Sequence, residues 1–554
     1  MSYNENDWDK EHLLSFPINV KAVIAHMRQD MRDDWFPDPL SYNDLFEKAD
    51  DLREVLMELL LEGNGRYEGN LRNLCNIPKK GLGIRYSLET DFYDRFIYQA
   101  ICSFLIPFFD PLLSPRVLGH RYNKKRTKEK YLFKSRIELW QTFEGVTYTA
   151  ITSSKALMAT DVLNYFENIS IDKVKESFEL LIPQVKANGA EKLKIRNAIN
   201  TLCELLCKWG FSKFHGLPQN RDPSSFIANV MLNSIDQKMV VLGYDYYRYV
   251  DDIRIICPDI SSARRSLIEL IGALRTIGMN INSSKTKILT SDSDKDLVAE
   301  FFPSLDDRSI TIDNMWKSRN RRIIARSAKY IHAMIKDCIE RQETQSRQFR
   351  FAVNRLIKLV DANVFDVHSS LGEELLDMII STFIDHPAST DQYCRLICAL
   401  QPLDKHFEKI TDFLCDHDSA IHSWQNYHIW LTLAYHNFKS DQLIETACER
   451  LNLISNDPEV AAVFIYLSCI GETEKLIPVI SQFDASWPNR HQRSFLLATK
   501  DLPQDSLKKI VEKLTIKLRN TARRATPHYY NNRPLAERKF PKIVDLYDEV
   551  TTYD

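Results

Sequence analysis

Two adjacent aspartates, Asp251 and Asp252, interrupt the β-prone stretch YYRYVDDIRIIC at residues 246–257. Side by side, two carboxylates repel. A two-residue hairpin turn favours Asn-Gly or Asp-Gly, because its backbone needs φ > 0, so Asp-Asp is a poor choice for the turn alone. Carboxylates are, however, hard oxygen ligands. Mg²⁺ binds through one or two of them together with substrate phosphates, and a divalent ion would cancel the repulsion. Holding two ions about 4 Å apart for an in-line displacement takes one more carboxylate. MATDVLNYFENISIDKV supplies it: Asp161 lies near the end of a strand-like run, ALMATDVL (156–163), ahead of a helix-like pattern. With that strand beside the hairpin, Asp161 and Asp251 would converge on the metals.

The elements around these residues read as mixed α/β up to about residue 290. Helical patterns cover 42–63, 91–110 and 192–210. Strand candidates are 156–163, YYRYV, IRIIC and KTKILT (285–290). Of the 15 glycines only Gly372 and Gly471 follow residue 300, and from about 327 amphipathic helices succeed one another. SAKYIHAMIKDCIE, FRFAVNRLIKLV, EELLDMIISTFI, YHIWLTLAYHNF, QLIETACERLNLI and EVAAVFIYLSCI each carry apolar residues at i, i+3, i+4 and i+7. Short polar loops separate them, the pattern of helix pairs stacked in a solenoid and HEAT-like only in a loose sense.

A length of 554 residues allows roughly two to four domains at about 150 residues each. The formal net charge of −2 means that nucleic-acid contact must come from local stretches. RVLGHRYNKKRTKEKYLFKSR (116–136) and KSRNRRIIAR (317–326) are the candidates, either as phosphate and base contacts or as solvated faces. The eleven cysteines are scattered without a CxxC pair, and Cys203/Cys207 and Cys394/Cys398 fall within apolar helical patterns. They read as core thiols of a protein in a reducing compartment. The N-terminus lacks the basic and apolar regions of a signal peptide, and no apolar run approaches ~18 residues. These features predict a cytoplasmic protein without a membrane span.

YVDD (249–252) resembles the YxDD motif C of reverse transcriptases. DVLNYFENI (161–169) is similar to their motif A, GLPQNRDPSSFIANVML (216–232) to motif B, and GMNINSSKTKIL (278–289) to motif D. IPKKGLGIRYSLETDFYDRFIYQAI (77–101) resembles the fingers motifs. All five stand in family order. The resemblance implies an α+β fold, a right-hand fingers and palm followed by an all-α HEAT-like repeat domain. Its divisions would be an N-terminal helical region at 1–70, fingers and palm at 71–295, a basic linker at 296–326 and helical repeats at 327–554.

The resemblance also implies roles. Asp161 and Asp251 would hold two Mg²⁺ ions, or Mn²⁺ in their place, with the Val162 carbonyl as an added ligand and Asp252 in support. Phe166 would lie under the sugar and exclude a 2′-OH, unless it packs in the core. Gln219 would bond near the incoming nucleotide, on a turn where Asn220 replaces the usual glycine; asparagine tolerates left-handed φ. Tyr249 would lie beside the aspartates. Lys79 and Arg85 would bind the triphosphate. Lys285 would either protonate the leaving pyrophosphate or brace its loop.

RYVDDIRI joined to a long helical C-terminal region is similar to the abortive-infection and related defence reverse transcriptases of bacteria. That implies dNTPs as substrates, a DNA product, a homo-oligomer and a phage or host trigger protein. Some of those relatives copy a noncoding RNA. Others synthesise DNA without a template and prime from their own tyrosine, leaving the product covalently attached. Tyr3, Tyr42, Tyr529, Tyr530 and Tyr553 stand in polar surroundings and are the candidates for priming. The rival readings are a retron or group II intron enzyme, which needs a maturase or standard thumb after residue 290, and a non-catalytic helical scaffold.

Overall fold

The structure is a computed structural model, and it describes residues 14–46, 49–124, 132–153, 155–293, 295–303, 306–452 and 457–524, with Ile543 and Leu546. The described chain divides into two compact units, each assembled from separated stretches. The first takes 14–34, 49–74 and 87–302; the second takes 35–46, 75–86 and residues from 303 onward.

In the first unit the helix Phe92–Phe109 is buried along most of its surface, as its nearly continuous apolar sequence requires. Asp91 caps it by accepting from the Asp94 amide. The helix Gly189–Trp209 opens with a reciprocal capping box between Asn188 and Glu191 and stops at Gly210. The helix Asp222–Val241 begins with Pro223 in its first turn, where a missing N–H costs nothing. Before them comes a hairpin of β1 (Asn73–Pro78) and β2 (Ile84–Glu89), with residues 75–86 falling in the second unit.

Four strands form the sheet that matters for chemistry: β3 (Ala156–Asp161), β4 (Asp245–Tyr249), β5 (Asp252–Cys257) and β6 (Lys287–Leu289). Their order is β4-β5-β3-β6, and every neighbouring pair is antiparallel. All six residues of β3 are buried. This is the burial expected of a central strand with an apolar run. β3 ends at Asp161, two residues before the expected limit, because the chain turns through Asn164 at φ +46°. The helix Arg136–Thr152 and both strands of the first hairpin were not foreseen. The helix has no apolar stripe of helical period, and the strands are interrupted by Asn76 and Pro78.

In the second unit helices follow one another from Asp307–Lys317 through Arg321–Glu340, Arg347–Asp361 and Ser370–Ser381 to Asn489–Ala498 and beyond. Among the described residues no strand follows β6. Their apolar faces share one core, in which Trp316, Trp430, Phe464 and Phe495 are fully buried. The stretch expected as a linker, 296–326, is instead largely helical; Ile312, Trp316 and Ile324 belong to this core.

An N-terminal strap, residues 35–46, is built into the same unit. The Trp35 carbonyl accepts from Trp424 Nε1 at 2.7 Å, and the Pro37 carbonyl accepts from the Tyr427 hydroxyl at 2.7 Å. Arg493, 2% exposed in its side chain, donates to Asp38 at 2.9 Å and to Asp44 at 2.8 Å. Thr521 Oγ1 donates to Asp44 and accepts from Arg493. Removing one partner of such a buried cluster leaves the others charged and desolvated. Arg493→Leu is therefore expected to destabilise this unit by about 3–5 kcal/mol, read as an earlier urea transition in tryptophan fluorescence. An unchanged midpoint would show that the strap's two aspartates do not depend on Arg493.

Candidate active site

The register of the central strands places Asp161 directly opposite Asp252. Tyr249 faces Asp252 across β4 and β5, so Val250 and Asp251 form a two-residue turn. Val250 has φ +56°, a genuine outlier for a β-branched residue. The Asp251 carbonyl accepts from the Val162 amide at 3.2 Å, and the Asp161 carbonyl accepts from the Asn282 amide at 2.8 Å. Backbone bonds thus join the segments carrying Asp161, Asp251 and Lys285 at one end of the sheet.

The electrostatics of that end are unfavourable for the protein alone. Asp161 is buried; its Oδ1 finds no donor, and its Oδ2 accepts from Lys285 Nζ at 2.6 Å. Burial and the neighbouring Asp251 push the Asp252 carboxyl up to about 7, against the pull of Arg254. Partial burial would lower the Lys285 ammonium, but the hydrogen bond to Asp161 and the charges of all three aspartates raise it. A buried carboxylate oxygen without a donor, next to two more carboxylates, fits a hard divalent cation. Among the described residues no group of three or more His, Cys, Asp or Glu side chains is placed to hold a metal ion by itself.

The reverse transcriptase (RNA-dependent DNA polymerase) family matches residues 77–355. The chain belongs to the reverse transcriptase family. It is thus an RNA-directed DNA polymerase, a nucleotidyltransferase. No curated protein matches the chain. Among solved structures, telomerase from Candida albicans with a fragment of telomeric RNA is similar at 10% identity and a TM-score of 0.29, covering 68% of this chain and 70% of that one.

Several more of the expected residues lie on the segments that flank the sheet. Phe166 is half-buried, its ring tilted against Tyr165 at 4.8 Å, and its carbonyl accepts from the Leu217 amide at 2.9 Å. This bond ties the segment after β3 to the GLPQ turn. Gln219 is buried and donates to Glu167 at 3.3 Å, and Asn220 takes φ +55°, the left-handed turn expected of it. Tyr249 packs edge-on to Trp140 at 4.9 Å and donates to the Arg136 carbonyl at 3.2 Å.

Lys79 and Arg85 belong to the second unit. There the Lys79 amide donates to the Gly83 carbonyl at 2.8 Å and the Arg85 guanidinium lies 5.4 Å from the Trp35 ring centre. Tyr42, also in that unit, is half-buried under the Arg493 guanidinium at 4.8 Å, and its amide donates to Asp38. Tyr3, Tyr529, Tyr530 and Tyr553 lie outside the described residues.

Two buried charge networks were not foreseen. Arg248 and Asp236, both 0% exposed in their side chains, pair at 2.7 Å behind the turn. Asn229, Asn233 and Asp236 form a polar stripe at helical spacing on an otherwise buried helix, and that stripe was the available signal. In the second network Arg95 pairs with Asp30 and Asp34, while Arg221 pairs with Asp34 and Glu89. The Asp222 amide donates to Asp30 at 2.7 Å. Burial would raise the Asp222 carboxyl, but Arg136 and His120 hold it well below the usual range. These partners lie up to 192 residues apart, and no local pattern announces them.

The raised Asp252 carboxyl gives a signed prediction. Between the ordinary aspartate value of about 3.9 and about 7, the folded chain keeps a proton that the unfolded chain has released. Stability therefore falls as pH rises through that window. In EDTA, Asp252→Asn should gain thermal stability over the parent progressively from pH 4 to pH 7, and Mg²⁺ should narrow the gap at pH 8. Parallel profiles for the two proteins would contradict the raised carboxyl.

Proposed function

We propose that the chain adds deoxynucleotides to a hydroxyl terminus at Asp161, Asp251 and Asp252. The observation that carries this reading is the register of Asp161 against Asp252, with Asp251 next in the turn. Asp161 and Asp251, helped by the Val162 carbonyl, would hold two Mg²⁺ ions, with Asp252 as the supporting carboxylate; Mn²⁺ is the alternative ion. When bound, those ions offset phosphate charge and favour the ionised form of the attacking hydroxyl. The hydroxyl gives its proton to solvent, its oxygen bonds to the α-phosphorus, the bond from that phosphorus to the bridging oxygen breaks, and pyrophosphate leaves. Lys79 and Arg85 are the proposed triphosphate ligands. Lys285 bonds Asp161 at rest, and its proposed role is either to give the leaving pyrophosphate a proton or to brace its loop. Phe166 excludes a 2′-OH, Gln219 borders the incoming nucleotide, and Tyr249 flanks the aspartates.

The setting we propose is bacterial antiphage defence in the cytoplasm, with the later helices as a HEAT-like array and the chain as a homo-oligomer. Its support is the likeness of RYVDDIRI and of the serial helices to the defence enzymes. A trigger protein from phage or host belongs to that setting. Synthesis on a noncoding RNA and untemplated synthesis primed by a tyrosine both remain within it. Tyr42 is a poor primer, because its ring is held under Arg493, which leaves Tyr3, Tyr529, Tyr530 and Tyr553 as candidates.

Asp251→Asn keeps the side-chain shape and removes its charge. It is expected to lower dNTP incorporation by at least ~10³-fold, the scale of one major electrostatic contributor, and a folded variant with near-normal incorporation would refute the assignment. Phe166→Ala should admit ribonucleotides, read as the ratio of dNTP to NTP incorporation. Incubation with labelled dNTP and Mg²⁺ followed by denaturing gel separates the priming modes. Label that stays with the protein and is removed by DNase supports the tyrosine primer. Label found only on free nucleic acid excludes it.

A further inference from the structure

The turn that carries Asp251 is held by a side chain with no expected role. Val250 sits at φ +56°, a conformation that glycine adopts freely and a β-branched residue resists. Strain of this kind persists only where the surroundings over-determine it. Here the surroundings are Arg248. Its Nη1 donates to the Val250 carbonyl at 2.8 Å and to Asn229 Oδ1 at 2.9 Å. Its Nε and Nη2 bond the two oxygens of Asp236 at 2.8 and 2.7 Å, and Asp236 also accepts from the Tyr246 hydroxyl at 2.8 Å.

The backbone of Arg248 is fixed as well, accepting from the Leu118 amide at 2.8 Å and donating to the Arg116 carbonyl at 3.1 Å. Asn229 then donates to the Gly119 carbonyl at 2.9 Å. A Cβ on Gly119 would lie 2.9 Å from both Cγ2 and the amide of Val250. The loop at Gly119 therefore lies close against the turn, leaving no room there for a side chain, while Arg248 holds the Val250 carbonyl.

We propose that Arg248 is a positioning residue for the polymerase reaction: its guanidinium, locked by Asp236 and Asn229, holds Val250 in the left-handed conformation that aims the Asp251 carboxylate. This rests on the reading of Asp251 as a metal ligand. The planar fork is the essential feature. A lysine offers one charged nitrogen, which cannot reach both Asp236 oxygens, Asn229 and the Val250 carbonyl at once.

The test compares Arg248→Lys with Arg248→Lys/Val250→Gly, measuring dNTP incorporation against Mg²⁺ concentration and thermal unfolding in parallel. Arg248→Lys should lower kcat by about 10²-fold, the effect of a misplacement near 1 Å, with the dNTP KM within about threefold. It should also raise the Mg²⁺ needed for half-maximal rate. Glycine at 250 takes the turn without outside help, so the double variant should recover kcat and Mg²⁺ dependence while its unfolding temperature stays low. A purely structural ion pair predicts no such rescue. Should Arg248→Lys fail to fold, Asn229→Ala removes one support only and should show the same loss and the same rescue.

The inference is overturned if the folded single variants keep parental kcat and Mg²⁺ dependence, or if glycine at 250 restores nothing. Asp251→Asn run alongside separates the two levels. If it stays active, the metal-ligand reading fails. If it is inactive while Arg248→Lys is unimpaired, only the role of Arg248 fails.

Discussion

One constraint governs the palm: an antiparallel register that sets Asp161 against Asp252 with Asp251 one residue away. Like charges directly opposite each other weaken a sheet. The fold accepts this at the end of β3 and β5 and compensates next to it. Lys285 bonds Asp161, Arg254 lies on the same strand as Asp252, and the buried β3 residues 156–160 supply the apolar contact that keeps the strands paired. Arg254 is itself packed between the rings of Phe143 and Phe302, at 4.5 and 4.6 Å. The carboxylates are held together by everything around them and not by any affinity for one another. A cation bound there would relieve a tension that the sheet creates.

The same solution recurs away from the carboxylates. Arg95 and Arg221 share Asp34, Arg248 spans Asp236 and Asn229, and Arg493 spans Asp38 and Asp44. Each guanidinium is nearly inaccessible to solvent. Arg95, Arg221 and Arg493 join segments far apart in the chain and Arg248 joins a strand to the helix before it, so the value of each lies less in net stability than in fixing which segments meet. Arginine suits this because its planar fork satisfies several acceptors in fixed directions.

What could be read from the sequence followed range. YVDD, the strand that ends at Asp161 and the left-handed Asn220 were legible because each is a local pattern with a local physical cause. The amphipathic helices after residue 327 were legible for the same reason. Arg248 stands in the YYRYVDD stretch of β4, yet its side chain is held by Asn229 and Asp236 in the preceding helix. The network of Asp30, Asp34 and Arg221 was invisible, since its members meet only after folding. The strap at 35–46 shows no helical period over most of its length and carries Pro37 and Pro39, so nothing local marked it as part of the helical unit. The helical character of 296–326 was obscured by its charge, which resembles that of a linker although Trp316 and Ile324 are core residues.

That strap has a consequence for how the chain is made. Asp38 and Arg493 are 455 residues apart, so at ~5–20 residues per second the ribosome needs roughly 20–90 s between them. Until residues beyond 303 emerge, Phe36 and Leu40, and likewise Cys75 and Ile77, lack the core they pack into. The helical unit therefore cannot close in the order of synthesis, whereas the sheet of the first unit can. A ribosome stalled after β6 would present a palm that carries the unsatisfied apolar strap of a missing partner, a natural substrate for chaperones. Vectorial synthesis thus makes closure of the helical unit wait on helices made long after its strap.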